Sequence, residues 1–283
     1  MPINQHKGSI AMDQLNNLIS NSHNNKVKPL PASIKNIKFV LSDVDDTITT
    51  NGQLLPQTYN AIHQLVDQGI VFIPITGGCA GWCDSFARLW PCQAVIGENG
   101  GFYLKKSNQG NIDYHFWQGQ QERAQNHQKL LALAKKAIKA VPEVNLAKDQ
   151  AYRLVDVAID YNQDISGISS DQINTILDTF HQGGANAKAS SIHVNAWIGD
   201  YNKKIMACHM LATEFSLTEQ QMKEQVLFIG DSLNDESMFE FFPNSVGVAN
   251  IQHSLAKLTH LPTWITEKSF GRGFNQVIAS IIN

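Results

Sequence analysis

The chain has 283 residues, enough for about two domains or one domain carrying a large insertion. Its 22 Lys and Arg against 25 Asp and Glu leave a net charge of −3, which excludes the basic footprint of a general nucleic-acid binder. Hydrophobic residues make up 43%, too many for a wholly disordered chain, yet no run approaches the ~18 apolar residues of a membrane-spanning helix. Four cysteines make no disulfide framework, and the N-terminus lacks a basic segment followed by an apolar core, so no secretory signal is expected. A reducing, cytoplasmic setting is the expectation.

Residues 1–35 are rich in Asn, Gln, Ser and His and read as a polar leader, with Ile10, Leu15, Leu18 and Ile19 spaced for a short amphipathic helix. The first strand is Ile37–Leu41, ending at Ser42-Asp43. Tyr59, Ile62, Leu65 and Val66 share a helical face that Gly69 ends. Ile70–Ile75 reads as a strand despite Pro74, which is awkward inside one. Phe86–Trp90 follows as helix and Ala94–Ile96 as strand.

The middle of the chain breaks this rhythm. Phe102–Leu104 and Tyr114–Trp117 flank the turn-rich Ser107–Asn111, a hairpin signal. Gln121–Val141 is a long helix with Leu130, Leu131, Ala134, Ala137, Ile138 and Val141 inward. Arg153–Ile159 and Ala187–Asn195 read as strands, and Asp171–Gln182 as a helix with Ile173, Ile176, Leu177 and Phe180 on one face. Alternation then resumes. Helix is expected over Lys203–Phe215, strand over Val226–Ile229, helix over Glu236–Phe242, strand over Val246–Val248 and Trp264–Thr266, and a terminal helix from Gly273. Alternating helices and nearly continuous apolar strands imply an α/β fold with a Rossmann-like parallel sheet, covered on both faces and carrying an inserted α+β cap. The expected division is a leader at 1–35, a core at 36–117 and 196–283, and a cap at 118–195.

Two acidic clusters directly follow buried strands: Asp43-Val44-Asp45-Asp46-Thr47 and Gly230-Asp231-Ser232-Leu233-Asn234-Asp235. Ligands of open parallel sheets bind outside the carboxyl ends of the strands. Carboxylates gathered there repel one another unless a cation sits among them, and oxygen ligands without His or Cys point to a hard ion such as Mg²⁺. Thr76-Gly77-Gly78 follows another strand and offers a hydroxyl and glycine N–H groups to a phosphate. Lys203 opens a helix and can bring a positive charge to the same oxygens. Turn-forming and helix-capping roles are the plainer alternatives for these Asp, Asn and Thr residues.

Over residues 36–283 the chain resembles the haloacid dehalogenase superfamily and, within it, the Mg²⁺-dependent phosphatases. Asp43, Asp45 and Thr47 match the first motif, Asp-x-Asp-x-Thr; Thr76 the second; Lys203 the third, with Lys204 adjoining as the alternative; and Gly230, Asp231 and Asp235 the fourth, Gly-Asp-x-x-x-Asp. Glu98-Asn99-Gly100-Gly101 resembles the Asn-Gly turn of subclass IIB, the Cof-type and sugar-phosphatase branch, whose cap lies between the second and third motifs. Asp46 stands in place of the commoner Gly, and Gly78 where Cof-type members often carry Arg.

The resemblance implies an aspartyl-phosphate route. Asp43 is the nucleophile and Asp45 the general acid and base; Thr76, Gly77, Lys203 and Asn234 contact the substrate; Asp43, Asp45, Asp231 and Asp235 hold Mg²⁺, Asp45 through its backbone carbonyl. Residues 47–57, with Asn51-Gly52, are expected to form a mobile hairpin beside the nucleophile. The implied partner is a small phosphate ester, a sugar phosphate above all, with no nucleic acid and no membrane; composition does not give the oligomeric state. Phosphotransfer between sugars, as in phosphomannomutases, and a non-catalytic binder that keeps the fold are the alternatives. Cys79, Cys83 and Cys92 lack paired metal-ligand spacing and read as partly buried cysteines, and Cys208 as core. His193 reads as a core or surface histidine, and Arg153, Lys188 and Asn195 as candidate substrate contacts.

Overall fold

The computed structural model describes residues 27–107 and 109–283. The short helix expected near Ile10–Ile19 and position 108 of the hairpin turn lie outside them. In chain order the strands are β1 (Lys28–Pro29), β2 (Phe39–Ser42), β3 (Val71–Pro74), β4 (Ala94–Gly97), β5 (Phe102–Lys106), β6 (Ile112–Phe116) and β7 (Asn145–Leu146). They continue with β8 (Val157–Asp160), β9 (Asn186–Ala189), β10 (His193–Trp197), β11 (Val226–Gly230), β12 (Asn244–Gly247) and β13 (Trp264–Ile265). The chain divides into two compact units, one of residues 1–74 with 216–283 and one of residues 75–215.

The first unit is built on a six-stranded sheet in the order β1-β13-β12-β11-β2-β3, every pairing parallel. The central strands Phe39-Val40-Leu41-Ser42 and Val226-Leu227-Phe228-Ile229-Gly230 are buried at every position, as expected of parallel strands covered on both faces. Side chains alternate across a strand, so Phe228 meets Phe239 of the Glu236–Phe241 helix at 5.5 Å while its neighbours in β11 point to the other face. Phe72 of β3 meets Phe274 of the terminal helix, Phe270–Ile282, at 6.1 Å. Pro74 is tolerated because it ends β3, an edge strand with no further neighbour needing its missing N–H.

The last residues of the segment expected as leader pack into the first unit. Lys28 and Pro29 pair with Trp264 and Ile265, the Ile34 N–H donates to the Ser280 carbonyl at 2.7 Å, and Val27 and Ile34 are buried. Residues 27–34 are therefore part of the sheet unit. Their pairing partners lie more than two hundred residues away, beyond the reach of any local pattern.

The second unit contains two antiparallel sheets, β4-β5-β6 and β7-β8-β10-β9. The expected strand at Ala94–Ile96 is present but does not join a parallel sheet. The tight turn at Glu98–Gly100 folds β5 back along it, leaving one isolated parallel bridge, Ile75 to Ile96. The β5–β6 hairpin forms as the turn signal predicts. The four-stranded sheet is covered by helices Gln120–Ala140 and Ser170–Gln182. Leu130, Ala134, Ala137, Val141, Ile176 and Phe180 are buried against Val157, Ile159, Val194 and Ala196, with Leu131, Ile138, Ile173 and Leu177 partly buried beside them. Each large side chain buried here contributes about 1.5–3 kcal/mol. The Ser170–Gln182 helix begins with a capping box between Ser169 and Gln172, which satisfies otherwise unpaired N–H groups.

Two strand expectations are corrected here. Arg153 precedes the strand instead of opening it: Lys148–Tyr152 is a 3-10 turn and β8 starts at Val157. Ala187–Asn195 is two strands, β9 and β10, folded back on each other with Val194 opposite Ala189. The Ser190 N–H and Oγ both bond the His193 carbonyl and close the turn.

Candidate active site

In the first unit the loop after β2 carries Asp43. Its N–H donates to the Ile229 carbonyl at 2.9 Å, so the β2–β11 ladder continues one residue past the strand. The Val44 carbonyl then accepts from the N–H groups of Thr47, Ile48 and Thr49, coiling the next residues into a compact turn. Asp46 sits at φ 58° within it. That is the left-handed region where glycine is usual and Asp is tolerated, which accounts for the Asp in place of the commoner Gly. The expected hairpin is also present: Thr50 and Gln53 exchange backbone bonds of 2.9 and 3.1 Å around Asn51 and Gly52, both at positive φ.

After β11 the chain makes a second tight turn. Asp235 Oδ2 accepts from the N–H groups of Asp231 at 3.0 Å and Ser232 at 3.3 Å. The turn needs glycine at 230, since a Cβ there would lie 2.5 Å from Asp235 Oδ2 and 2.7 Å from its Cγ. Asn234 Oδ1 accepts from Ser232 Oγ at 2.7 Å. The Asp235 carboxylate thus closes the turn by reaching back to its start, and the Glu236–Phe241 helix has no side-chain cap.

Because β2 and β11 are neighbours in register, the two loops meet. Asp43, Asp231 and Asp235 are all buried, and one carboxylate oxygen from each lies within 4.8 Å of the others. Oxygens on one Mg²⁺ lie at 2.0–2.1 Å from it, hence at most ~4.2 Å apart. The trio thus fits a small hard cation after shifts of a few tenths of an ångström. Thr47 Oγ1 donates to Asp43 Oδ2 at 3.4 Å. Asp45 lies on the turn, partly buried and outside the trio.

Asn250, just past β12, went unnoticed in the sequence. Its Nδ2 donates to Asp231 Oδ2 at 2.9 Å and to the Asp46 carbonyl at 3.0 Å, and its Oδ1 accepts from the Phe270 N–H at 2.9 Å. It ties both acidic loops to the terminal helix. The available signal was its place after the end of a parallel strand.

The second unit holds Thr76, Gly77, Gly78 and Lys203. The Thr76 N–H donates to the Ile96 carbonyl and its carbonyl accepts from the Asn99 N–H; Thr76 Oγ1 accepts from the Gly78 N–H at 2.8 Å. Lys203 is 1% exposed at the start of its helix, whereas Lys204 is partly exposed. The Asn202 Oδ1 caps this helix by accepting from the Ile205 N–H at 3.0 Å. The Glu98–Gly100 turn packs against that start: a Cβ on Gly100, which has φ 101°, would lie 2.4 Å from the Asn202 carbonyl oxygen.

Glu98 is fully buried and accepts from the N–H groups of Ala80, Leu154, Val155 and Asp156 at 2.6–3.1 Å. Burial pushes its carboxyl up to about 8, with Asp156 adding to this; Arg153 and the backbone donors oppose it. Arg153, expected as a candidate substrate contact, lies in the interior of the second unit. Its guanidinium is buried against Asp149 and Asp156. Burial works against that charge, and Asp156, Asp149 and Glu98 outweigh it, holding the group protonated.

His193 is buried, with Nε2 lacking a hydrogen-bond partner. Burial, then nearby Arg153, lowers its pKa from the ordinary 6.5 to about 4, against the pull of Asp149, Asp160 and Asp164. A depressed histidine pKa means folding favours the neutral ring. Its contribution is therefore complete above about pH 6.5 and lost as pH falls toward 4, amounting at most to about 3 kcal/mol. His193→Gln is expected to lessen the drop in urea midpoint between pH 7 and pH 5; an unchanged drop would remove His193 as its source. Burial also raises Cys79 to about 11 and Cys92 to about 12, so these thiols stay protonated at neutral pH.

A model of a family described as haloacid dehalogenase-like hydrolase matches residues 202–269. Comparison with curated protein sequences gives no match. Among solved structures, the fold is similar to Thermoplasma acidophilum 0175, at 18% identity and a TM-score of 0.65 over 85% of this chain and 96% of that one. A haloacid dehalogenase-like hydrolase from Bacteroides thetaiotaomicron aligns at 13% identity and 0.59, over 86% and 98%. The sucrose-phosphatase of Synechocystis sp. PCC6803, in complex with sucrose and phosphate, aligns at 15% and 0.61, over 87% and 98%. The parallel sheet, the two acidic turns at its strand ends and the matched segment 202–269 thus agree in pointing to a haloacid dehalogenase-like fold.

Proposed function

We propose that this protein is a Mg²⁺-dependent phosphomonoester hydrolase acting on a small phosphorylated metabolite, a sugar phosphate above all. The observation that carries the reading is the buried trio Asp43, Asp231 and Asp235. Three buried carboxylates gathered this closely repel one another, whereas around a divalent ion they form a phosphate-accepting centre.

Asp43, Asp231 and Asp235 hold the ion, with the Asp45 carbonyl as a further ligand. When bound, the ion neutralises charge between an anionic nucleophile and an anionic phosphate. Asp43 attacks phosphorus and forms an aspartyl-phosphate, splitting hydrolysis into two displacements. Asp45 protonates the leaving oxygen and then takes a proton from the attacking water. Thr76, the Gly77 N–H and Lys203 hold the transferring oxygens, and Asn234 adds a polar contact at the edge of the fourth motif.

The α+β group that begins with the Gln120–Ala140 helix and ends at Trp197 is inserted between Thr76 and Lys203, where subclass IIB carries its cap. We take residues 118–195 as the part that reads the leaving group. The sugar-phosphate class draws support from the sucrose-phosphatase among the similar structures. Among the described residues no helix is long and apolar enough to cross a membrane, and the setting we propose is a reducing, cytoplasmic one.

The test is a panel of phosphorylated sugars, sugar acids and nucleotides, assayed for free phosphate with and without Mg²⁺. Release from sugar phosphates that stops on chelation is expected and returns on adding Mg²⁺. Isomerised phosphosugar with little free phosphate would replace hydrolysis by phosphotransfer. Metal-independent turnover, or none on any ester, would overturn the reading.

A further inference from the structure

The peptide between Gly77 and Gly78 is held from both ends. Its carbonyl accepts from Arg153 Nη1 at 2.9 Å and from Asn195 Nδ2 at 3.2 Å. Its N–H donates to Thr76 Oγ1 at 2.8 Å. In a planar trans peptide the C=O and N–H point in opposite directions. Fixing the carbonyl therefore fixes the direction of the N–H, and with it one hydrogen bond of the Thr76 hydroxyl.

The two donors are themselves fixed. Asp156 accepts from Arg153 Nη1 at 2.9 Å through Oδ1 and from Asn195 Nδ2 at 3.0 Å through Oδ2. Asp149 takes the remaining edge of the guanidinium at 3.2 Å through each oxygen. Glu98 binds the N–H groups of Leu154, Val155 and Asp156, the backbone that presents Arg153. Arg153, Asp156 and Asn195 are all at least nine-tenths buried. A buried ion cluster is weak evidence for stability, since packed apolar groups often do as well. What an apolar replacement cannot do is aim a carbonyl. Planar Arg and Asn donors converging on one backbone oxygen do so.

We propose that Arg153 and Asn195 are positioning residues for Thr76: through the Gly77–Gly78 peptide they orient its hydroxyl toward a phosphate oxygen. The proposal rests on the reading above, in which Thr76 holds the transferring phosphate. A hydroxyl that accepts from a backbone N–H presents its own proton on a defined side. Without the clamp the peptide can rotate, and the hydroxyl turns with it.

The experiment is a double-mutant cycle in the full chain with Asn195→Ala, Thr76→Ala and the pair. Inorganic phosphate is titrated by calorimetry in the presence of Mg²⁺, beside turnover of a generic phosphomonoester and its Mg²⁺ activation constant. Asn195→Ala is expected to weaken phosphate binding and raise KM by about five- to tenfold, the scale of one oriented hydrogen bond, with the Mg²⁺ constant within about twofold. In the Thr76→Ala background the same change is expected to have almost no further effect, because the group it orients is gone. Loss of folded protein would lower kcat alone and would add in the pair. Arg153→Lys, which keeps the charge but not the planar fork, runs through the same cycle should Asn195→Ala not fold. Unchanged phosphate affinity in a folded, active variant, or additive losses, would overturn the positioning role while leaving the phosphatase reading intact. A wild-type protein that neither binds phosphate nor turns over any ester removes both.

Discussion

Asp43→Asn is expected to abolish Mg²⁺-dependent phosphate release, with kcat down by a thousandfold or more, roughly the scale of losing a covalent nucleophile. The substitution is isosteric and leaves the Asp43 N–H bond to Ile229 in place, so the β2–β11 ladder is retained. It also removes one of three carboxylates held within 4.8 Å of one another. Less like-charge repulsion in the metal-free protein means that its melting temperature without Mg²⁺ holds or rises. The increase produced by Mg²⁺ shrinks, because a ligand stabilises only in proportion to its affinity for the folded state. Turnover and thermal unfolding, each with and without Mg²⁺, check this. Retention of most activity would remove Asp43 as the nucleophile, and an undiminished Mg²⁺ response would remove it as a ligand.

Gly100→Ala carries the second large effect, and its cause is purely steric. The added methyl meets the Asn202 carbonyl oxygen at 2.4 Å, its carbon at 2.6 Å and the Lys203 nitrogen at 3.1 Å. These are backbone atoms that open a helix and cannot swing aside as a side chain does. Strain from a φ of 101° adds to the overlap. Together they are expected to cost about 3 kcal/mol or more. In whatever fraction folds, the helix start shifts with the buried Lys203, so the KM for a phosphate ester is expected to rise about tenfold or more with the Mg²⁺ constant unchanged. Gly110→Ala is the control. It too has positive φ, 84°, but nothing lies within 4 Å of its Cβ, so only the backbone term of about 1 kcal/mol remains. Equal losses in the two variants, by urea unfolding, would dismiss the contact with Asn202.

Features encoded within a few residues were legible from the chain alone. The Lys203–Phe215 helix appears at the expected bounds. The inward faces around Leu130 and Phe180 are those the 3.6-residue period marked. The acidic runs after β2 and β11 stood out because strand, turn and Asp are adjacent in sequence. Each of these follows from local periodicity or turn chemistry, which a short window contains in full.

What tertiary structure alone decided is who meets whom. Lys28–Pro29 found an edge beside β13, β4 turned away into a hairpin, and Asn250 reached back to Asp231 and Asp46. Arg153 and Asn195, both held by Asp156, converged on one glycine carbonyl from segments far apart in the chain. A polar side chain in a sequence carries no record of its partner, because the partner is chosen by strand order and by the need of every buried donor and acceptor to be matched. The residue types at the site could thus be read from the letters, while the second layer that holds them became visible only once distant strands lay side by side.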